Sequence, residues 1–308
     1  MRIVACTRFI RTIWMSGLLS LLIASQCWAG GGQHYPNGVE DFMVGALPPP
    51  GTYLVNYMLY VKKDSLKDNS GNSAPVGFDA KVLAEVPRLI YVSPVKVLGA
   101  NWAMHAFLPL YSADVTVTAG GSKVVDDTKK GMGDIIFSPL VFGWHFGPEL
   151  HLVTALDIWA PTGNYNKDNN ASSILSKNIW TFEPVVAVSY LKEGFDVSAK
   201  LMYDFNTENS DTKTTPGQEF HMDWALGYSL QNGFTGGLVG YNYWQVTEDE
   251  VNGNKVSGDK SQVGGIGVGL KYWPKQGPFS ATLKQYWEYN AKNMPTGPQT
   301  QFKIIYAF

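Results

Sequence analysis

The sequence predicts an all-β protein, an up-and-down antiparallel transmembrane β-barrel of about twelve strands. Strand-length runs in which apolar and polar residues alternate recur from Thr52 to the end of the chain. The connections between these runs alternate long and short, as they do when odd loops face the outside of a cell and even ones the periplasm. The last ten residues, Gln299 to Phe308, alternate strictly: Thr300, Phe302, Ile304, Tyr306 and Phe308 share one parity, and Gln301 and Lys303 lie on the other. An open sheet would leave such a final strand as an unprotected edge, whereas a closed barrel pairs it with the first.

In chain order, Arg2, Arg8 and Arg11 precede an apolar run from Ile13 to Ile23, and Cys27-Trp28-Ala29 follows. This is the pattern of a secretory signal peptide, expected to cover residues 1–29. The run is too short for a spanning helix, and Gln26 stands where a lipoprotein signal needs a small residue. Cleavage would remove both cysteines, so disulfides are not expected to hold the exported protein together. It would also leave 21 basic residues against 26 acidic ones, with Arg88 as the only arginine. No basic patch interleaved with aromatics remains, which argues against nucleic acid as a partner. Residues 30–50, with Pro48-Pro49-Pro50-Gly51, are expected to form an irregular periplasmic leader ahead of a single barrel domain over residues 51–308.

The first strand carries Tyr53, Val55, Tyr57, Leu59 and Val61 on one parity. In the second, Ala80, Val82, Ala84 and Val86 oppose Lys81 and Glu85, and in the third Ala100, Trp102, Met104 and Ala106 oppose Asn101 and His105. Runs near 133–145 and 149–160 follow, the first ambiguous because both of its faces are apolar. Trp180 to Tyr190, Phe195 to Phe205 and Phe220 to Tyr228 alternate cleanly, and runs near 233–247, 261–273 and 278–290 lead to the final strand. Each is about the 9–11 residues that a tilted strand needs to cross a bilayer. Long connections are expected at 63–77, 111–132, 161–177, 207–217 and 248–260, and short ones at 93–96, 146–148, 192–193, 231–232 and 274–277. A β-sandwich, the rival architecture, has no reason to keep this rhythm.

Aromatics gather at strand ends, among them Tyr60, Tyr91, Trp159, Trp180, Tyr190, Trp244, Trp287 and Tyr306, as interfacial girdles do. On the faces opposite the apolar ones lie Lys81, Glu85, Asp196, Lys200, Asp204, His221, Asp223, Lys284, Glu288 and Lys303. A charge exposed to lipid near the midplane costs about 2–4 kcal/mol, so these ten are expected to line the lumen. Their mixed signs fit a hydrated pore or a salt-bridged packed interior equally well.

Signatures of other chemistries are missing. The glycine run at 264–269 lacks the register of a dinucleotide fingerprint, with Ile266 or Leu270 where glycine is required. The five histidines show no paired metal-ligand spacing, and there is no GxSxG nucleophile elbow. Neither catalysis, a cofactor nor a metal is therefore expected, although Glu248-Asp249-Glu250 with Asp259 could attract a cation in an external loop.

The stretch Gly131-Met-Gly-Asp-Ile-Ile-Phe-Ser-Pro-Leu-Val-Phe-Gly-Trp144, then Ala160-Pro-Thr-Gly-Asn-Tyr165 and Trp180-Thr-Phe-Glu-Pro184, resembles a family of exported bacterial proteins. It is the family named for the meta-cleavage pathway of phenol degradation, also labelled SphA-like. The final strand likewise resembles the C-terminal signal that the outer-membrane insertion machinery reads. The resemblance implies an outer-membrane barrel that takes up hydrophobic or aromatic compounds, and it supplies no functional residues to carry over. The expected function is thus passive passage of a small, hydrophobic or aromatic solute through a channel in the bacterial outer membrane. The partners are then the lipid bilayer, the solute and the insertion machinery. A structural or adhesive barrel that binds partners through its long loops is the alternative, and an outer-membrane hydrolase a more distant one.

Overall fold

The computed structural model describes residues 33–230, 232–274 and 276–308, so the signal peptide expected at 1–29 lies outside the described residues. Twelve antiparallel strands close into a barrel. They are β1 (Gly51–Lys63), β2 (Gly77–Val97), β3 (Ala100–Phe107), β4 (Ile135–Phe146), β5 (Leu150–Ala160) and β6 (Thr181–Lys192). The circle continues through β7 (Phe195–Asn206), β8 (Glu219–Ser229), β9 (Phe234–Gln245), β10 (Gln262–Tyr272), β11 (Phe279–Lys292) and β12 (Gln299–Ala307). Each strand pairs with the next, and β12 returns to β1 from Tyr53↔Ala307 to Val61↔Gln299. The strand count and the closure agree with the expectation from sequence. Closure satisfies the backbone hydrogen bonds that lipid cannot.

Alternation explains the wall. On β7, Phe195, Val197, Leu201 and Phe205 are exposed on the outside, while Asp196, Ser198, Lys200, Met202 and Asp204 are buried inside. Trp180, Trp244 and Trp287 lie near the loop-bearing end of the outer face, and Tyr190, Tyr228 and Tyr306 near the other. The ten residue steps from Trp180 to Tyr190, at about 3.3 Å each and a tilt near 45°, give a belt roughly 25 Å tall, the height of an outer-membrane apolar band. Trp159 departs from the girdle expectation: it is buried inside and stacks on His34 at 5.1 Å. The tight turns at the opposite end follow local chemistry. At Leu98-Gly99 and Glu193-Gly194 both residues of the pair have positive φ, the type I′ geometry that matches the twist of a hairpin.

One side of the barrel differs from the sequence expectation. The long connection expected at 111–132 is a β-hairpin of Leu110–Ala119 and Ser122–Met132, turning at Gly120-Gly121. Its first arm continues β3 upward along the outer half of β2. Val115 and Val117 alternate with Thr116 and Thr118 along that arm, a strand signal that the abundance of polar residues nearby masks. The short turn expected at 93–96 is instead a register shift within β2 and β3, between Val92 and Lys96 around Pro94. Proline has no N–H to give the ladder and is accommodated at such a bulge.

The largest correction concerns residues 33–50. They do not form a periplasmic leader but run down the inside of the barrel, from His34 beside the outer ends of β4 and β6 to Gly51 at the inner end of β1. Tyr35, Asn37, Val39, Glu40, Asp41 and Phe42 are all buried. The hydrophobic core of this protein is therefore the lumen, filled by its own N-terminal segment.

Candidate functional site

The leader docks through charge complementarity. Glu40 Oε1 accepts hydrogen bonds from Tyr57 Oη at 2.9 Å and from Arg88 Nη1 at 3.0 Å. Lys303 reaches both Glu40, at 3.4 Å, and Asp41, at 2.7 Å, and Lys284 lies 3.1 Å from Asp41. Lys284 also donates to the carbonyls of Gly38 and Val39, at 2.6 and 2.7 Å. Asp223 accepts from Tyr35 Oη and from the amides of Gly38 and Glu40, at 2.6, 2.8 and 3.1 Å. Two acids on the leader thus sit in a cage of three wall cations, and one wall acid holds the leader's backbone. Burying such charges is tolerable only because each has a partner.

Steric fit completes the docking. Phe42 lies against Gly227 and Gly269, where an added Cβ would come within 2.6 and 3.1 Å of its ring. The glycine run of β10 is thus a close-approach surface, with Tyr289 against Gly264, Tyr241 against Gly265 and Phe42 against Gly269.

Of the ten residues expected to line the lumen, eight face the interior. Asp196 accepts from Ser198 Oγ at 2.5 Å, and the Lys200 ammonium lies 4.5 Å from the centre of the Tyr35 ring. His221 Nδ1 is 2.7 Å from Asn37 Oδ1, and Asp204 is fully buried beside it. Glu288 pairs with Lys63 and accepts from Tyr241 Oη and the Gly297 amide, at 2.7 and 2.9 Å. Asp223, Lys284 and Lys303 hold the leader as described.

Lys81 and Glu85 are the corrections: both are exposed on the outer face, where Lys81 lies 3.3 Å from Asp79 and Glu85 accepts from Asn56 at 3.1 Å. The physical reason is height. The 21 residues of β2 span about 50 Å along the barrel axis at 3.3 Å per residue and a 45° tilt, roughly twice the apolar belt. Toward its outer end both faces of the wall meet water, and polarity no longer distinguishes inside from outside. Four residues that dock the leader, Tyr57, Arg88, Glu40 and Asp41, were not singled out from sequence. Arg88 carried the clearest signal, as the lone arginine beyond residue 29.

Above the leader opens a cavity of about 390 Å³. One wall is apolar, made of Val61 on β1, Val82, Ala84 and Val86 on β2, and Val115 and Val117 on the hairpin. The facing wall is polar, with Lys177, Asn209, Tyr243 and Asp249. The loop after β5 roofs it: a single helical turn, α1 (Ser172–Leu175), packs Leu175 and Ala171 on Ala80, Ala113 and Val115. A smaller space of about 30 Å³ continues downward between the leader and Tyr57, Val86, Ile136 and Trp159. In the roof loops, burial pushes the Asp249 carboxyl up to about 6, although it accepts hydrogen bonds from the Gly217 amide and Gln245 Nε2.

The sequence matches the family described as the MetA-pathway of phenol degradation over residues 63–304. The chain belongs to that family. Among solved structures, an outer membrane channel from Pseudomonas putida F1 is similar, with a TM-score of 0.75, 18% identity, and coverage of 86% of this chain and 98% of that one. The translocator domain of the autotransporter NalP from Neisseria meningitidis is similar at a TM-score of 0.50 and 9% identity, over 86% of this chain and 91% of that one. At these identities the likeness establishes the fold: this member of the phenol-degradation family is an outer-membrane-type barrel. No curated protein matches the chain in sequence.

Proposed function

We propose that the protein is an outer-membrane channel for the passive uptake of small hydrophobic or aromatic solutes, with its leader as the constriction. The half-apolar cavity above the leader carries this reading, because it offers a small solute an apolar wall to partition onto and a polar wall to orient a hydroxyl. Membership of a family named for phenol degradation supports the aromatic class. The exposed terminal Phe308, bonded through its amide to the Thr52 carbonyl at 3.0 Å, fits recognition by the insertion machinery.

The test is solute entry into vesicles bearing lipopolysaccharide, with and without the folded protein, comparing phenol-class aromatics, alkanes and sugars. Aromatics should enter several-fold faster with the protein, and Val82→Asn with Val117→Asn should lower that gain while leaving the barrel folded. Folded protein that accelerates none of these solutes would sink the proposal and leave a structural or adhesive barrel.

A further inference from the structure

We infer that a divalent transition-metal ion of the zinc type binds inside the barrel wall, held by Asp204 on β7 and by Glu219 and His221 on β8. All three side chains are fully buried, and their ligand atoms lie within 4.8 Å of one another. Asp204 and Glu219 are direct partners in the β7–β8 ladder, and Glu183 on β6 is buried in the same acidic neighbourhood. Like charges placed opposite one another destabilise a sheet. Buried carboxylates without a counter-charge cost several kcal/mol each.

No lysine or arginine among the described residues forms an ion pair with any of these acids; Asp204 and Glu219 face His221, and Glu219 Oε1 accepts from Tyr243 Oη at 2.8 Å. Both oxygens of Glu183, both of Asp204, Oε2 of Glu219 and Nε2 of His221 have no hydrogen-bond partner among the described residues. A doubly protonated His221 would answer the charge by donating to a carboxylate at about 2.7–2.9 Å. Nε2 instead lies 3.3 Å from Asp204 Oδ2 and 3.6 Å from Glu219 Oε2.

The two separations from Nε2 are close to those in tetrahedral zinc sites, where bonds of about 2.0–2.1 Å place neighbouring ligand atoms roughly 3.3–3.4 Å apart. The other ring nitrogen is fixed. Asn37 Oδ1 accepts the hydrogen of Nδ1, which leaves Nε2 as the ring nitrogen that faces the acids. An imidazole with carboxylates selects a borderline ion such as Zn²⁺ over Ca²⁺, whose ligands are all oxygen. Glu183 is placed to serve as a further ligand or as an acceptor for a metal-bound water. The ion would join β7 to β8 and, through His221 and Asn37, to the leader.

Zinc chloride is the probe, titrated into the full-length barrel after chelator treatment, with folding verified by its shifted migration on an unheated gel. About one equivalent should bind, and Co²⁺ in its place should give the intense visible bands of tetrahedral coordination. Asp204→Asn and His221→Gln should each weaken binding by roughly 100-fold or more, and Asn37→Ala, which removes only the support of His221, by about 10-fold. Folded wild-type protein that binds no zinc at micromolar concentration would overturn the inference. So would undiminished binding in both ligand variants, or loss confined to His151→Gln, which would assign the metal to the paired His145 and His151, 2.7 Å apart on β4 and β5.

Discussion

The two halves of the barrel wall are built on different rules. From β6 to β12 the inner face carries the charged residues Glu183, Asp196, Lys200, Asp204, Glu219, His221, Asp223, Lys284 and Lys303 among buried tyrosines and small apolar residues, and the outer face is apolar. Its ladders run almost unbroken, with one register shift near Gln262 and Gly264. From β2 to β5 the inner face is mostly apolar, with Val86, Ile90, Val92, Ala103, Ile136, Val141 and Val153 buried. Each of the three ladders there shifts register: β2–β3 near Pro94, β3–β4 near His105 and β4–β5 near Pro139. The regular half supplies Lys284, Lys303 and Asp223 to hold the leader, with Arg88 on β2 as the third cation of the cage, and the irregular half supplies most of the apolar surface of the cavity. A wall that must hold a plug and still offer a greasy route has divided the two tasks around its circumference.

The strongest way to break the comparison is to remove the leader charge that the anchoring half holds. Asp41→Asn leaves Lys284 and Lys303 without their shared carboxylate, and stranding a buried charge costs about 3–5 kcal/mol. The leader should undock while the barrel stays folded, and single-channel conductance in planar bilayers should rise several-fold. Unchanged conductance would show that the leader does not limit the pore.

Adjacent positions on β7 should respond in opposite ways. Leu201 faces lipid and Lys200 the interior, so Leu201→Arg should lower barrel stability by about 2–4 kcal/mol in urea unfolding from lipid vesicles. Lys200→Glu should instead insert normally and shift ion selectivity toward cations. Equal loss of insertion in both variants would contradict the assigned faces.

A smaller effect is expected in the loops above the cavity. Because the folded pKa of Asp249, about 6, exceeds its ordinary value near 3.9, loop stability should fall as pH rises from about 4 to about 6 and level off above that. Amide exchange at Gly217, whose N–H bonds to this carboxylate at 2.7 Å, should therefore be slower at pH 5 than at pH 7, after correction for intrinsic rates. Asp249→Asn should abolish the difference. Smallest of all is Lys81→Glu, on the outer face of the irregular half above the belt. It should change stability by no more than about 0.5 kcal/mol and leave solute entry unaltered. A clear change in entry would return Lys81 to the lumen.

The sequence by itself determined the barrel, its twelve strands and the alternation of its loops. Where lipid meets one face and a polar interior the other, as on β7 and β8, each residue type reports its side. The same logic failed at Lys81 and Glu85, because toward the outer end of β2 both faces of the wall meet water, and it was silent on β4, whose two faces are both apolar. Only the tertiary structure decided that residues 33–50 fill the lumen. Nothing local in Glu40-Asp41 says that Arg88, Lys284 and Lys303, from three distant strands, converge on it; barrel closure brings them there. The pairing of Asp204 with Glu219 and His221 is decided the same way, since a Glu-x-His step places two side chains on one face of a strand but cannot say which neighbour stands opposite.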